Sequence, residues 1–129
     1  MNSTETVFLV DDDAAVVKAV SRLLRASGHT VAAFSSAQEF MDSYQPAAAG
    51  CVVLDLSMPG ITGLELQRWL AARYSSLPII FLTGSDDLLH KKDSFNLDPT
   101  VEILMKPITG SAFLKSIENA LARNRRMRT

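Results

Sequence analysis

The sequence predicts an α/β protein built on a five-stranded, doubly wound parallel sheet with helices on both faces. Short apolar runs alternate with stretches of helical periodicity along the 129 residues, as in consecutive βα units. The predicted strands are continuously apolar, which is typical of parallel strands buried on both faces. No repeat or linker interrupts this pattern before a short basic tail, so the length suits a single domain.

Each predicted strand is a short apolar run, and each predicted helix has apolar residues at spacings of three and four. The strands are Thr6–Val10, Thr30–Phe34, Cys51–Leu54, Pro78–Leu82 and Thr100–Leu104. The helices are Ala14–Ser27, Ala37–Tyr44, Leu64–Tyr74 and Ser111–Arg123. Gly28 follows the first helix, and Ser35 and Ser36 precede the second, as helix-ending and helix-capping residues do. The segment Ser85–Asp98 has too few apolar residues for a continuous stripe, so we predict a short or irregular helix there.

The composition is that of an ordinary globular protein, with 47% hydrophobic and 21% charged residues. No apolar run approaches the roughly 18 residues that a membrane span needs. The first ten residues lack the basic region of a signal peptide. Cys51 is the only cysteine, so an internal disulfide is excluded. We therefore expect a cytoplasmic protein without a membrane association.

The net charge of −1 is unevenly distributed along the chain. Residues 123–129 contain four arginines and no acid, which leaves 9 basic and 14 acidic residues, a net charge of −5, in residues 1–122. Cations at the end of a helix interact favourably with its dipole, so we interpret the basic tail as a solvated helix end. We divide the chain into a domain of residues 1–122 and a tail of residues 123–129, and expect no direct binding of nucleic acid.

Acidic, hydroxyl and amino side chains follow four of the predicted strands. They are Asp11, Asp12 and Asp13 after the first strand, Asp55 after the third, Thr83 after the fourth and Lys106 after the fifth. The carboxyl ends of the strands of a doubly wound sheet meet at the edge where ligands bind. Two carboxylates about 4 Å apart repel by about 4 kcal/mol at an effective dielectric constant of 20, and one lysine cannot neutralise three acids. The cluster therefore favours Mg²⁺ as a ligand, whereas Asp13, directly before the first helix, suits a helix cap.

Four motifs carry a resemblance to a known family. LVDDD at 9–13, LDLSMPGITG at 54–63, IIFLTG at 79–84 and LMKPI at 104–108 resemble, in this order and spacing, the bacterial response-regulator receiver domains. The stretches VDDDAAV and AGCVV resemble the receivers that precede LuxR-type helix-turn-helix output domains. The resemblance implies a flavodoxin-like (βα)5 fold with strand order 2-1-3-4-5. It also implies that the basic tail begins a linker to an output domain that this chain does not contain.

The same resemblance assigns roles to the acids. Asp55 matches the phosphoacceptor of a two-component phosphorelay. Asp11, Asp12, Asp55 and the backbone carbonyl of Ser57 match the ligands of Mg²⁺, for which Mn²⁺ could substitute. A carboxylate nucleophile beside a divalent cation suits phosphoryl transfer, which depends on positioning and charge neutralisation.

The resemblance extends to the strands that follow, although one region departs from the family pattern. Thr83 matches the hydroxyl and Lys106 the ammonium that bind the phosphoryl group, and Pro107 matches a proline after a cis peptide bond. Ile103 occupies a switch position where the family usually has an aromatic residue, and Asp98-Pro99-Thr100 replaces the usual Gly-Ala-Asp. The surface that changes on phosphorylation is therefore expected to be atypical.

The resemblance also implies partners. A sensor histidine kinase would donate the phosphoryl group, and phosphorylation would control a homodimer or a C-terminal DNA-binding output domain in a longer chain, and through it transcription. The switching surface would be the Ser85–Asp98 helix and the strand after it. The protein would not be an enzyme beyond its own phosphorylation and dephosphorylation.

The residues leave two other functions open. A phosphatase of the haloacid-dehalogenase type also uses a D-x-D motif, here Asp11 and Asp13. That family needs a further acid pair after the lysine, but only Glu118 follows Lys106, and Asp55 would have no role. The second alternative is a receiver-shaped interaction module that signals without phosphate, which the atypical region keeps open.

Overall fold

Strands and helices alternate in the computed structural model, which describes residues 5–55, 63–73, 75–83, 101–105 and 110–128. The strands are β1 (Thr6–Val10), β2 (Thr30–Phe34), β3 (Gly50–Asp55), β4 (Ile79–Thr83) and β5 (Val101–Met105). The helices are α1 (Ala14–Ala26), α2 (Ala37–Ser43), α3 (Gly63–Ala72) and α4 (Gly110–Arg128). The predicted irregular helix at Ser85–Asp98 lies outside the described residues.

The five strands form one parallel sheet in the order β2-β1-β3-β4-β5, which confirms the predicted fold and strand order. Every residue of β3 and β4 is buried, whereas β2 at one edge is partly exposed. The predicted bounds of β1 and β2 are confirmed. β3 is one residue longer at each end than predicted, and β4 begins and ends one residue later. β5 extends one residue beyond its predicted end, to Met105, and Thr100, its predicted first residue, lies outside the described residues.

Side chains alternate between the two faces of the sheet, so that two apolar clusters form. Val7 and Leu9 of β1 belong to the cluster under α1 and α4. Phe8 and Val10 belong to the cluster under α2 and α3. The first cluster includes Val20, Leu24, Phe113 and Ile117 from its helices, and the second includes Phe40, Leu66 and Leu70. The central strands are thus covered on both faces, as their continuous apolar sequences predict.

An aromatic group extends across the α2–α3 face. The Phe40 ring lies 5.6 Å, centroid to centroid, from the rings of Phe8 and Phe34, in edge-to-face arrangements. Tyr44 joins this group to Trp69 of α3, with ring centroids 5.3 Å apart, and the guanidinium of Arg73 lies 3.7 Å from the centre of the Trp69 ring. Edge-to-face pairs and cation–π contacts each add to the stability that burial provides.

The last helix is longer than predicted. The pattern of apolar residues ends it at Arg123, but α4 continues to Arg128, so the predicted division after Ala122 falls inside a helix. Asn124 on this extension is fully buried, and its side-chain amide donates to the carbonyl oxygen of Ser76 over 3.0 Å. Local apolar periodicity contains no signal for such a long-range polar contact. Within the described residues, no helix has the length and apolar character to cross a membrane.

Cys51 provides a test of the core on the α1–α4 face. Its side chain is fully buried in β3, and burial raises the pKa of the thiol to about 12. Since the thiolate is the reactive form, we expect a disulfide reagent to modify the folded protein at least ~1000-fold more slowly than the unfolded protein. Absorbance on release of the reagent's thiol measures both rates, with and without guanidinium chloride. Rapid modification of the folded protein would contradict the described packing.

Candidate functional site

Three carboxylates converge at the carboxyl ends of β1 and β3. The two strands are neighbours in parallel register, with Val10 opposite Leu54, so the residues that follow, Asp11 and Asp55, lie level with each other. Each of Asp11, Asp12 and Asp55 offers a carboxylate oxygen, and these three oxygens all lie within 4.8 Å of one another. The predicted convergence of these three acids is therefore present in the structure.

The three acids differ in their exposure to solvent. Asp11 is fully buried, Asp55 is 7% exposed and Asp12 is exposed. The backbone amide of Asp11 donates to the Phe34 carbonyl, and one carboxylate oxygen of Asp11 accepts from the amide of Asp13 at 2.9 Å. The backbone thus fixes Asp11 at the base of the site, while Asp12 lies at its solvent side.

Asp13 has a different role from its neighbours. It is the N-cap of α1, and its Oδ1 accepts from the backbone amides of Ala15 at 2.9 Å and Val16 at 3.4 Å. This bonding stabilises the first turn of a helix, as the sequence predicts for Asp13. The D-x-D motif of the phosphatase alternative includes Asp13, and its bonds to Ala15 and Val16 give this acid a structural role at the start of α1.

Thr83 lies at the same edge of the sheet as the three acids. It is the last residue of β4, it is fully buried, and it follows Leu82, which is opposite Asp55 in the adjacent strand. Ile103 is opposite Phe81 in β5 and packs, partly buried, against the apolar cluster under α2 and α3. The other predicted site residues lie outside the described residues; they are Ser57, Lys106 and Pro107.

The donor set of the three acids fits a small divalent cation. Carboxylate oxygens are the ligands that Mg²⁺ prefers, and in an octahedral site they lie about 3 Å apart when adjacent and about 4.2 Å apart when opposite. Oxygens of Asp11, Asp12 and Asp55 that already lie within 4.8 Å of one another need only small side-chain movements to reach such distances. Mutual repulsion of the carboxylates also favours a bound cation.

A cleft of about 370 Å³ borders the acid cluster on the side of β2. Its lining includes Asp11 and Asp12, the exposed Lys18 of α1 and the exposed Glu39 of α2. The backbone amide and the hydroxyl of Ser35 donate to Glu39 Oε1 at 2.7 and 2.9 Å, and these bonds lower the pKa of the Glu39 carboxyl. Glu39 was not among the predicted residues, although it stands three residues after a capping serine, a spacing typical of helix starts.

Comparison with known proteins decides the family. Residues 7–118 match the response regulator receiver domain family. This chain belongs to that family. Neither the phosphatase nor the interaction module is favoured by this match.

Individual relatives agree with the family assignment. Response regulator protein TmoT of Ectopseudomonas mendocina is 38% identical over 122 residues, covering 94% of this chain and 55% of that protein. Transcriptional regulatory protein FixJ of Bradyrhizobium diazoefficiens is 34% identical over 121 residues, covering 94% and 58%. The receiver chain thus spans about half the length of these curated relatives.

Solved structures share the fold. The structure of response regulator StyR superposes with a TM-score of 0.86 at 36% identity, covering 98% of this chain and 63% of that one. The crystal structure of FixJ-N gives a TM-score of 0.81 at 30% identity and covers 95% of this chain and 96% of that one. The receiver therefore has the flavodoxin-like arrangement that its motifs predict.

Proposed function

We propose that Asp55 is the phosphoryl acceptor of this receiver and that Mg²⁺ assists its phosphorylation. The convergence of the Asp11, Asp12 and Asp55 carboxylates within 4.8 Å is the observation that supports this proposal. Asp11, Asp12 and Asp55, with the backbone carbonyl of Ser57, would hold the cation, and Mn²⁺ could replace it. When bound, the cation supplies positive charge that offsets the charge of the phosphoryl oxygens.

Asp55, Thr83 and Lys106 would each have a different role in phosphoryl transfer. A carboxylate oxygen of Asp55 attacks the phosphorus atom of a kinase phosphohistidine or a small acyl phosphate. A P–O bond to Asp55 forms as the bond to the leaving imidazole nitrogen or carboxylate oxygen breaks. Thr83 would donate its hydroxyl to a phosphoryl oxygen, and Lys106 would pair its ammonium with another. Positioning and charge account for most of the acceleration of such transfers.

The same proposal includes two kinds of partner for the whole protein, a kinase and an output domain. A sensor histidine kinase would supply the phosphoryl group in the cytoplasm, where the single thiol stays reduced. The relatives TmoT and FixJ are about twice as long as the matched region, and a name such as transcriptional regulatory protein supports a DNA-binding output domain in a longer chain. Phosphorylation would then control a homodimer or that output, and the receiver would act as a signalling protein rather than an enzyme.

Covalent labelling tests the acceptor. We expect acetyl phosphate with Mg²⁺ to add one phosphoryl group to the protein, and Asp55→Asn to abolish this addition because an amide oxygen is a poor nucleophile. Asp42→Asn, on the exposed side of α2, is the matched control and should label normally. Intact mass spectrometry measures the product. Undiminished labelling of Asp55→Asn would show that another residue is the acceptor.

A further inference from the structure

The end of α4 is bound to the edge of the sheet opposite the three acids. Asn124 is fully buried, which is unusual for asparagine. Its Oδ1 accepts from the backbone amide of Gly50 at 2.9 Å, and its Nδ2 donates to the carbonyl and hydroxyl oxygens of Ser76 at 3.0 and 3.2 Å. One side chain thus joins α4 to the first residue of β3 and to the turn before β4.

The next residue of the helix, Arg125, makes a second contact with the sheet edge. Arg125 donates from Nε to Glu5 Oε2 at 2.6 Å and from Nη2 to Oε1 at 2.7 Å. This two-bond geometry is the strongest form of ion pair between these groups. Glu5 directly precedes β1 and its side chain is 14% exposed. Together, Asn124 and Arg125 connect α4 to the amino ends of the three central strands, and we call these bonds the amino-edge contact.

The amino-edge contact is remote from the acids. Gly50 and Asp55 are the first and last residues of β3, and five steps along a strand span about 16 Å. The matched family region ends at residue 118, so Asn124 and Arg125 lie beyond it. A ligand moves an element only when it changes that element's contacts, and the partners of Asn124 lie at the amino edge, away from the acids.

We infer that residues 119–128 are a fixed part of the receiver, held by the amino-edge contact and not displaced when Asp55 changes state. The predicted boundary after Ala122 accordingly moves to the end of α4. In a longer chain, the next segment leaves from a constant position at the edge opposite the acids. Changes at Asp55 then reach a partner through other surfaces of the receiver.

Hydrogen exchange on matched variants tests the contact itself. In Asn124→Ala the amide of Gly50 loses its acceptor, so its exchange and that of residues 121–128 should accelerate roughly tenfold. Asn119→Ala changes the same residue type at an exposed site of α4 and should alter these rates less than about twofold. Equal rates in both variants would overturn the inference.

A milder variant covers the case in which Asn124→Ala does not fold. Arg125→Gln removes the ion pair with Glu5 but keeps Asn124, and it should accelerate exchange of residues 124–128 about threefold. Lys115→Gln, at an exposed position of α4, is its control and should leave these rates unchanged. Unchanged exchange in Arg125→Gln would also overturn the inference.

A second measurement tests whether residues 119–128 stay in place when Asp55 is phosphorylated. This test rests on the proposed function of Asp55. Exchange is compared before and after treatment with acetyl phosphate and Mg²⁺, with the phosphorylated fraction read by intact mass in the same samples. Residues 119–128 should exchange at the same rate, within about twofold, in the phosphorylated protein. A larger change there would overturn the inference. If the protein is not phosphorylated, the mass spectrum will show this, and the result will count against the proposed function. The comparison of Asn124→Ala with Asn119→Ala would still test whether the amino-edge contact holds the end of α4.

Discussion

Replacing Gly50 by alanine is expected to destabilise the receiver by roughly 3–5 kcal/mol, a large share of the stability of a small domain. Gly50 has a φ of +140°, a backbone angle that residues with a side chain rarely adopt. An added Cβ would also overlap the carbonyl oxygen of Thr6 in β1. The neighbouring main chain cannot move aside without breaking the pairing of β1 and β3. Urea unfolding followed by circular dichroism measures the change.

Gly28 provides the matched control for this substitution. It also has a positive φ, +89°, but an added Cβ would have nothing within 4 Å. Gly28→Ala should therefore cost only the backbone strain, about 1 kcal/mol. Equal losses in the two variants would show that the conformation of Gly50, and not its close approach to Thr6, limits substitution.

Addition of Mg²⁺ is expected to raise the melting temperature of the receiver by about 10 °C when the free concentration reaches 100 times the dissociation constant. The proposed cation would bind the folded cluster of Asp11, Asp12 and Asp55 and would relieve the repulsion between carboxylates whose oxygens lie within 4.8 Å of one another. Asp12→Ala should remove this response. The same substitution should raise the melting temperature without Mg²⁺, because one of the repelling charges is gone.

An acid far from the cluster separates this effect from general screening. Glu118→Ala, at an exposed position of α4, should keep the full response to Mg²⁺. Scanning calorimetry in a chelator and in Mg²⁺ gives all the required temperatures. A response of equal size in Asp12→Ala would exclude the acid cluster as the site of binding.

The sheet and its acid cluster were predictable because both follow from local signals. Continuous apolar runs identify the parallel strands, and the acids that follow β1 and β3 must meet once those strands are neighbours. The strand ends were less predictable. Asp55 is paired with Leu82 although its side chain is polar, because ladder pairing uses the backbone. Pro78 contributes only its carbonyl, which accepts from the Val52 amide, before β4 begins at the next residue.

The end of α4 could not be predicted because its stabilising contacts are distant in sequence. Asn124 bonds to Gly50 across 74 positions, and the surrounding arginines contribute no apolar periodicity. The individual roles of the acids also depend on tertiary structure. Asp11 and Asp13 are both aspartates next to one strand, yet Asp13 caps α1 and Asp11 is buried at the base of the site.

The position of Trp69 gives the receiver a built-in optical probe. It is the single tryptophan of the chain, half-buried on α3 between Tyr44 and the guanidinium of Arg73. Its fluorescence therefore reports the environment of the α2–α3 face, free of signal from other indoles. Cys51 belongs to the cluster on the opposite face. Emission of Trp69 and chemical labelling of Cys51 together distinguish loosening of one layer of helices from loosening of the other, each at a residue that the native sequence already contains.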